Sequence, residues 1–277
     1  MTGKLASSLE LMEASWEILK KDKEILFIPV ISGISVMVML ASFVIPVILT
    51  GNADLIQRLL KEDRDLAITI SFIFYFLNYL IVVFFNSAIV ACATIRMGGG
   101  DPTLLDGLNI ASSRIFKIIM WAFVAASFGM LLRLIQGRSN LLGKAISGLL
   151  GMAWSLTSYL VIPVLVNENK WPFDAFVDSI DLLKKAWGEG LVGSFSFGLI
   201  FAIASLPAYF ILGIGVYSGG SILFLTLIAA IAYFLVLSIF HSALQGIFQA
   251  ALYQFASFGN VPSGFREDQL RHAIQKI

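Results

Sequence analysis

Three sets of polar side chains recur at helical spacing inside otherwise apolar stretches. Ser71, Tyr75, Asn78 and Asn86 form one, Ser147, Ser155 and Ser158 (with Gly151) a second, and Ser238, His241, Gln245, Gln249 and Tyr253 a third. Steps of three, four or eight residues put each set on one helix face. Their hydroxyls, amides and imidazole can hydrogen-bond the polar end of a ligand. They can equally bridge packed membrane helices, at about 0.6–2 kcal/mol per contact. Both readings are open for Asn78, Asn86, Ser155 and Ser158. An ionisable group inside an apolar run marks a functional site by default, which singles out His241. The run at 221–255 is, however, longer than the roughly 20 residues one crossing needs. A chain starting across at 221 reaches the far interface near His241, so His241, Gln245 and Gln249 can also line the helix where it leaves the bilayer.

Other chemistries find no support in the residues. No carboxylate lies in the middle of an apolar run, so neither an acidic proton relay nor an acidic sodium site is indicated. HExxH, GxSxG and P-loop patterns are absent, and no metal, cofactor or catalytic residue is expected. Asp174, Asp178 and Asp181 share a helix face that could collect a cation but reads more simply as a solvated one. A net charge of +1 without a Lys/Arg cluster offers no track for nucleic acid. The single cysteine, Cys92, cannot form an internal disulfide.

The elements that carry the polar sets are membrane helices. The chain is 58% hydrophobic and 13% charged, about half the charge of an average soluble domain. Six long apolar runs, at 25–49, 66–95, 118–135, 145–166, 191–213 and 221–255, are each long enough to cross a bilayer, and their continuity excludes barrel strands. Short connections at 50–65, 136–144 and 214–220 pair them into three hairpins. If the N-terminus is inside, the inner segments hold 13 Lys/Arg and the outer segments 6, which places both termini in the cytoplasm and the protein in the cell (inner) membrane as a multi-pass chain. The segment 5–22 carries acids and lysines where a cleavable signal needs an apolar core.

An amphipathic helix precedes each hairpin, at 4–22, 102–117 and 172–187. The expected apolar face of the first is Leu5, Leu9, Met12, Trp16 and Leu19. That of the third is Phe173, Phe176, Val177, Ile180, Leu183 and Trp187, and the weaker second keeps Leu104, Leu108, Ala111 and Ile115. Such helices can lie in the membrane interface. Pro102, Pro172 and Pro262 suit a first helical position, with Asp101 as a natural N-cap. The runs SWEILKK at 15–21 and SIDLLKK at 179–185 are locally similar, as expected of a degenerate repeat. Pro29, Pro46, Pro163 and Pro207 fall inside or at the ends of spans, where proline bends helices and frees carbonyls.

The run IRMGGGDPT at 95–103 and DGL at 106–108 resemble a family of uncharacterised prokaryotic polytopic membrane proteins. So do Trp121 with Ala122, LLR at 131–133, GMAW at 151–154, VIPVLV at 161–166 with Glu168, and Trp187 with Gly188. The resemblance covers roughly 95–200. It implies an all-α membrane protein and transfers no catalysis; a looser likeness is to the membrane part of some glycerophosphodiester phosphodiesterases. The expected architecture is one integral membrane domain over 1–277. It comprises an N-terminal amphipathic helix at 1–24, a six-span bundle at 25–256 and a cytoplasmic tail at 257–277. The expected function is non-enzymatic binding or transport of a small or lipid-like ligand, with Asn78, Asn86, Ser155, Ser158, His241, Gln245 and Gln249 as its polar lining. The alternative is a membrane scaffold that docks a partner through its cytoplasmic helices, and a third is an intramembrane lipid enzyme using Asp101, Glu168 or Asp174. Membrane lipids, and a protein partner or second copy, are the expected contacts.

Overall fold

The computed structural model describes residues 2–51, 63–138, 141–187, 198, 200–259 and 261–266. It is all-α, without a strand among the described residues. The helices are α1 (Thr2–Lys21), a 3-10 turn (Lys23–Leu26), α2 (Phe27–Thr50), α3 (Arg64–Met97), α4 (Leu104–Ser113), α5 (Ile115–Arg138), α6 (Leu141–Thr157), α7 (Val161–Glu168), α8 (Pro172–Trp187), α9 (Leu206–Ser218) and α10 (Gly220–Phe258).

Among the described residues, six helical segments are long and apolar enough to cross a membrane: Lys23–Leu49, Asp65–Met97, Ile115–Gln136, Gly143–Glu168, Ile200–Ser218 and Gly220–Phe258. They overlap the six runs read from the sequence. The expected start of the fifth, at 191, lies outside the described residues. Helices are the outcome hydrocarbon demands, because each backbone donor and acceptor must find its partner within the segment.

Prolines break two of these spans and leave others whole. The fourth span stops at Thr157 and restarts at Val161, just before Pro163. There Val161 N–H donates to Ser158 O (3.2 Å) instead of to Thr157 O, one residue back. The fifth is interrupted at Ser205, just before Pro207, and Ala208 N–H donates to Ser205 O (3.1 Å) instead of to Ala204 O. The missing proline N–H leaves Tyr159 O and Ile203 O without an i+4 donor, and the breaks also divert the donors of Thr157 O and Ala204 O. Neither of the latter two carbonyls stays unpaired: Ser179 Oγ–H donates to Thr157 O (2.7 Å) and Tyr233 O–H to Ala204 O (2.6 Å). Pro46, by contrast, sits inside a continuous α2.

Two compact units interleave along the sequence. The first comprises Met1–Pro29, Cys92–Leu104 and Leu182–Ile277. In it α1 packs on α10, and α9 packs on α10. Residues 243–244 and 246–253 of α10 are buried, whereas most of 221–240 is not. The chain after α10 folds back onto α1: Pro262 and Phe265 are buried, and Arg266 reaches Glu10 at 3.7 Å. Pro262 lies in a turn rather than at a helix start. The second unit comprises Val30–Ala91 and Leu105–Asp181. Its densest part is aromatic. Trp154 of α6 stacks on Phe128 and Trp121 of α5 (centroids 4.0 and 5.7 Å apart) and on Phe176 of α8 (5.4 Å).

The helices around the spans differ in detail from expectation. Among the described side chains, which leave out Leu5 and Trp187, those buried in α1 are Leu11, Ala14, Ser15, Ile18 and Leu19, while Leu9 and Trp16 are exposed. In α8 they are Pro172, Ala175, Ser179, Leu182 and Leu183, while Phe173 and Val177 are exposed. Small residues let a helix approach its neighbour closely, so the alanine and serine positions are the most deeply buried, while Trp16 and Phe176 of the bulkier faces still touch aromatic neighbours. Aligning Ser15 with Ser179 superposes four buried positions, 11, 15, 18 and 19 on 175, 179, 182 and 183. Pro172 opens α8, but Pro102 lies two residues ahead of α4, which ends at Ser113 rather than continuing to 117.

Candidate functional site

The second unit holds four of the expected lining residues. Asn78 lies near the middle of α3, half-buried, with no hydrogen-bond partner among the described residues. Asn86, two turns further along α3, is half-buried and partnered. Ser155, near the middle of the fourth span, is exposed and makes no hydrogen bond among the described residues. Ser158 donates to Trp154 O one turn back (2.7 Å) and so satisfies itself. Most membrane-span hydroxyls do the same: Ser35, Thr69, Ser87, Ser127 and Thr226 each donate to their own helix. Asn78 and Ser155 differ in leaving polar atoms unpaired at a depth where water is scarce, at a cost of about 1–3 kcal/mol each.

Around Asn78 stand two tyrosines and an arginine. Tyr75, three residues before Asn78, shares its face of α3, and Tyr79 follows it directly in sequence. The Arg133 guanidinium of α5 lies over the Tyr75 ring, 4.8 Å from its centroid. Tyr79 rests against Gly129, where a β-carbon would stand 3.4 Å from the phenol oxygen. Arg133 is exposed and has no carboxylate within reach among the described residues.

A second feature of this unit is the brace built by α8. Ser179, fully buried, donates to Thr157 O and accepts from Leu160 N–H (3.1 Å), closing both edges of the gap between α6 and α7. At the far end of α7, Asn169 turns the chain with a left-handed φ of 54°. Lys117 donates to the carbonyl and side-chain oxygens of Asn169 and lies 5.3 Å from the Trp171 ring centroid. Lys170 pairs with Asp178 and Glu168, each at 2.6 Å, and these two carboxylates hold its ammonium above the ordinary lysine range. The Asp174, Asp178, Asp181 face is therefore not three equivalent carboxylates, since Asp178 is committed to Lys170.

In the first unit the remaining lining residues mark a change of environment along α10. His241 is half-buried with its ring 4.4 Å from that of Phe201, Gln245 is half-buried, and Gln249 is buried and partnered. By helix rise His241 stands about 32 Å from Gly220, one hydrocarbon thickness along the helix. Nearby in the same unit, Arg96 at the end of α3 pairs with buried Asp22 (3.2 Å) and with exposed Asp101. Burial lifts the Asp22 carboxyl above its ordinary pKa; Arg96 opposes that lift, and Asp101 and Glu24 reinforce it. Because Asp101 serves Arg96, the N-terminus of α4 takes its acceptor elsewhere, from Glu24, whose carboxylate receives Leu104 N–H (2.9 Å).

With this geometry in view, comparison with known protein families gives a match. A family of unknown function (DUF6159) covers residues 66–265, from the second span to the segment after α10. The chain belongs to that family. No curated protein and no solved structure matches it, so the phosphodiesterase likeness stays a resemblance of sequence. Membership of DUF6159 reaches further in both directions than the 95–200 stretch that carried the sequence resemblance, and it includes all seven lining residues.

Two features of this DUF6159 chain escaped the sequence reading. Ser179 appeared only as the first residue of a repeated string, although its alignment with Ser15 was the available signal. The pairing of Arg133 with Tyr75 had no signal in spacing, because the two residues lie on different helices.

Proposed function

We propose that this is a non-enzymatic membrane protein that binds or moves a small or lipid-like ligand at the polar groups of its spans. In the proposed topology three hairpins, each preceded by an amphipathic helix, cross the cell (inner) membrane with both termini in the cytoplasm. Membrane lipids are its immediate partners, and nucleic acid is not among them. The supporting observation is Asn78: a half-buried amide inside a membrane span without a partner among the described residues. An amide in hydrocarbon is costly unless paired, and a ligand hydrogen bond relieves that cost. Ser155 adds a second such group.

The test separates binding from packing. If Asn78 bridges helices, Asn78→Leu should cost about 0.6–2 kcal/mol of stability. If it serves a ligand, Asn78→Leu should leave the stability of the ligand-free protein unchanged or raised and should lower the amount of small molecule that co-purifies in mild detergent. Equal co-purification in wild type and Asn78→Leu would remove the basis of the proposal.

A second reading, docking of a cytoplasmic partner, draws on the exposed apolar residues Trp171, Phe173 and Val177 around the start of α8. Purification from detergent with a stoichiometric protein partner that Phe173→Ser releases would favour it.

A further inference from the structure

Arg133 is the side chain the fold explains least. It lies inside a membrane span, three residues before the span ends at Gln136. A charge in the bilayer normally faces the protein interior or a paired group, yet Arg133 is exposed and no carboxylate among the described residues pairs with it. It is nevertheless held in place, over the Tyr75 ring at 4.8 Å. The contacts of Tyr75 with Arg133 and of Tyr79 with Gly129 run antiparallel along α3 and α5.

The relative depths of these residues agree. The second span, Asp65–Met97 with 33 residues, is about 50 Å long against a hydrocarbon core of about 30 Å. That surplus leaves the helix free to sit higher or lower, so its rise fixes relative depths only: Asn78 lies about 5 Å deeper than Tyr75. Arg133, over the Tyr75 ring and about one turn inside the end of its own span, carries its guanidinium toward the membrane surface. A guanidinium at that level meets one abundant anion, the phosphate of a phospholipid. It pairs with phosphate through two parallel N–H donors. The ester carbonyls of the same lipid lie a few ångströms deeper than its phosphate, an offset like that of the Asn78 amide below the Tyr75 ring that carries Arg133.

We propose that Arg133, positioned by the Tyr75 ring, and Asn78 form a binding site for one glycerophospholipid, the guanidinium taking the headgroup phosphate and the amide an ester carbonyl. The site deepens the function proposed above and rests on it, since Asn78 belongs to both. In the proposed topology it opens to the leaflet opposite the cytoplasm.

The experiment is native mass spectrometry of the delipidated full chain in a phosphate-free detergent. The probes are dioleoyl phosphatidylglycerol, dioleoylglycerol (the same chains and esters without phosphate) and inorganic phosphate. Wild type should retain phosphatidylglycerol one to one and neither of the other two. Arg133→Gln should weaken that binding about ten- to a hundredfold, the value of a charge-assisted pair, and Arg133→Lys should weaken it less. Tyr75→Phe, which keeps the ring, should bind like wild type, and Tyr75→Leu should not. Monodisperse elution and unchanged helical circular dichroism of each variant establish that it is folded. Equal phosphatidylglycerol binding by wild type and Arg133→Gln would overturn the site. Dioleoylglycerol binding that Asn78→Leu lowers and Arg133→Gln spares would overturn the phosphate assignment while leaving the lipid-binding function standing. No lipid adduct on wild type would overturn both.

Discussion

Replacing Ser179 by alanine removes one hydroxyl and disturbs two backbone groups of another helix. The hydroxyl donates to Thr157 O at 2.7 Å and accepts from Leu160 N–H at 3.1 Å, in a fully buried position. Without it a carbonyl and an amide are left facing a methyl group. A buried group stranded in this way costs about 1–3 kcal/mol, which for two gives roughly 2–4 kcal/mol after partial relaxation. The low values measured for polar contacts between membrane helices, averaging about 0.6 kcal/mol, put a floor near 1 kcal/mol. Reversible unfolding in mixed detergent should therefore show Ser179→Ala destabilised by about 1–4 kcal/mol. Ser179→Thr, which keeps the hydroxyl, should lose less. Ser155→Ala, which removes an exposed hydroxyl without a hydrogen bond among the described residues, should lose no stability and gain up to about 1–3 kcal/mol. The gap exists beside Pro163, so Pro163→Ala, which lets the helix run on, should reduce the cost of Ser179→Ala in a double-mutant cycle. A Ser179→Ala protein as stable as wild type would refute the role of α8 as a brace for the broken span.

Two further outcomes follow from single contacts. A β-carbon on Gly215 of α9 would overlap Thr226 Oγ1 and stand 2.9 Å from Thr226 Cβ, whereas one on Gly213 meets nothing within 4 Å. Gly215→Ala should thus lose about 1–3 kcal/mol and Gly213→Ala should gain up to about 1 kcal/mol from helix propensity in the same unfolding assay; equal effects would contradict the close approach of α9 and α10. Asp22 gives a pH dependence. Its carboxyl is raised in the folded protein, chiefly by burial, so the folded state binds the proton more tightly than the unfolded chain. The stability from Asp22 is then fully present below its unfolded value of 3.8 and is lost as pH rises from there through the raised value. Melting temperatures between pH 3.5 and 7 should show a smaller decline with rising pH for Asp22→Asn than for wild type, and superimposable profiles would exclude the effect.

The membrane helices were legible because hydrocarbon imposes one simple requirement, length without charge, and every span except the undescribed start of the fifth begins and ends within a few residues of its apolar run. The breaks near Pro163 and Pro207 were legible for the same reason: proline lacks a donor wherever it sits. The packed faces of α1 and α8 were not. Leu9, Trp16, Phe173 and Val177 satisfy the apolar periodicity, but close packing favours Ala14, Ser15, Ala175 and Ser179, and periodicity counts size as a virtue where contact demands its absence. Asp101 looked like a cap because it precedes Pro102; it instead serves Arg96, and Glu24, far away in sequence, caps α4. Such exchanges of partner depend on which segments meet, which one sequence does not disclose. Of the lining residues, Asn78, Ser155, His241 and Gln245 make no hydrogen bond among the described residues, whereas Ser158 spends its hydroxyl on its own helix.

A density map of the protein in lipid nanodiscs bears most directly on ligand binding within the spans. An elongated, chain-like density with its polar end against Asn78 is the expected result. Asn78 hydrogen-bonded to a protein group, with the surface of α3 around it closed and dry, would contradict it.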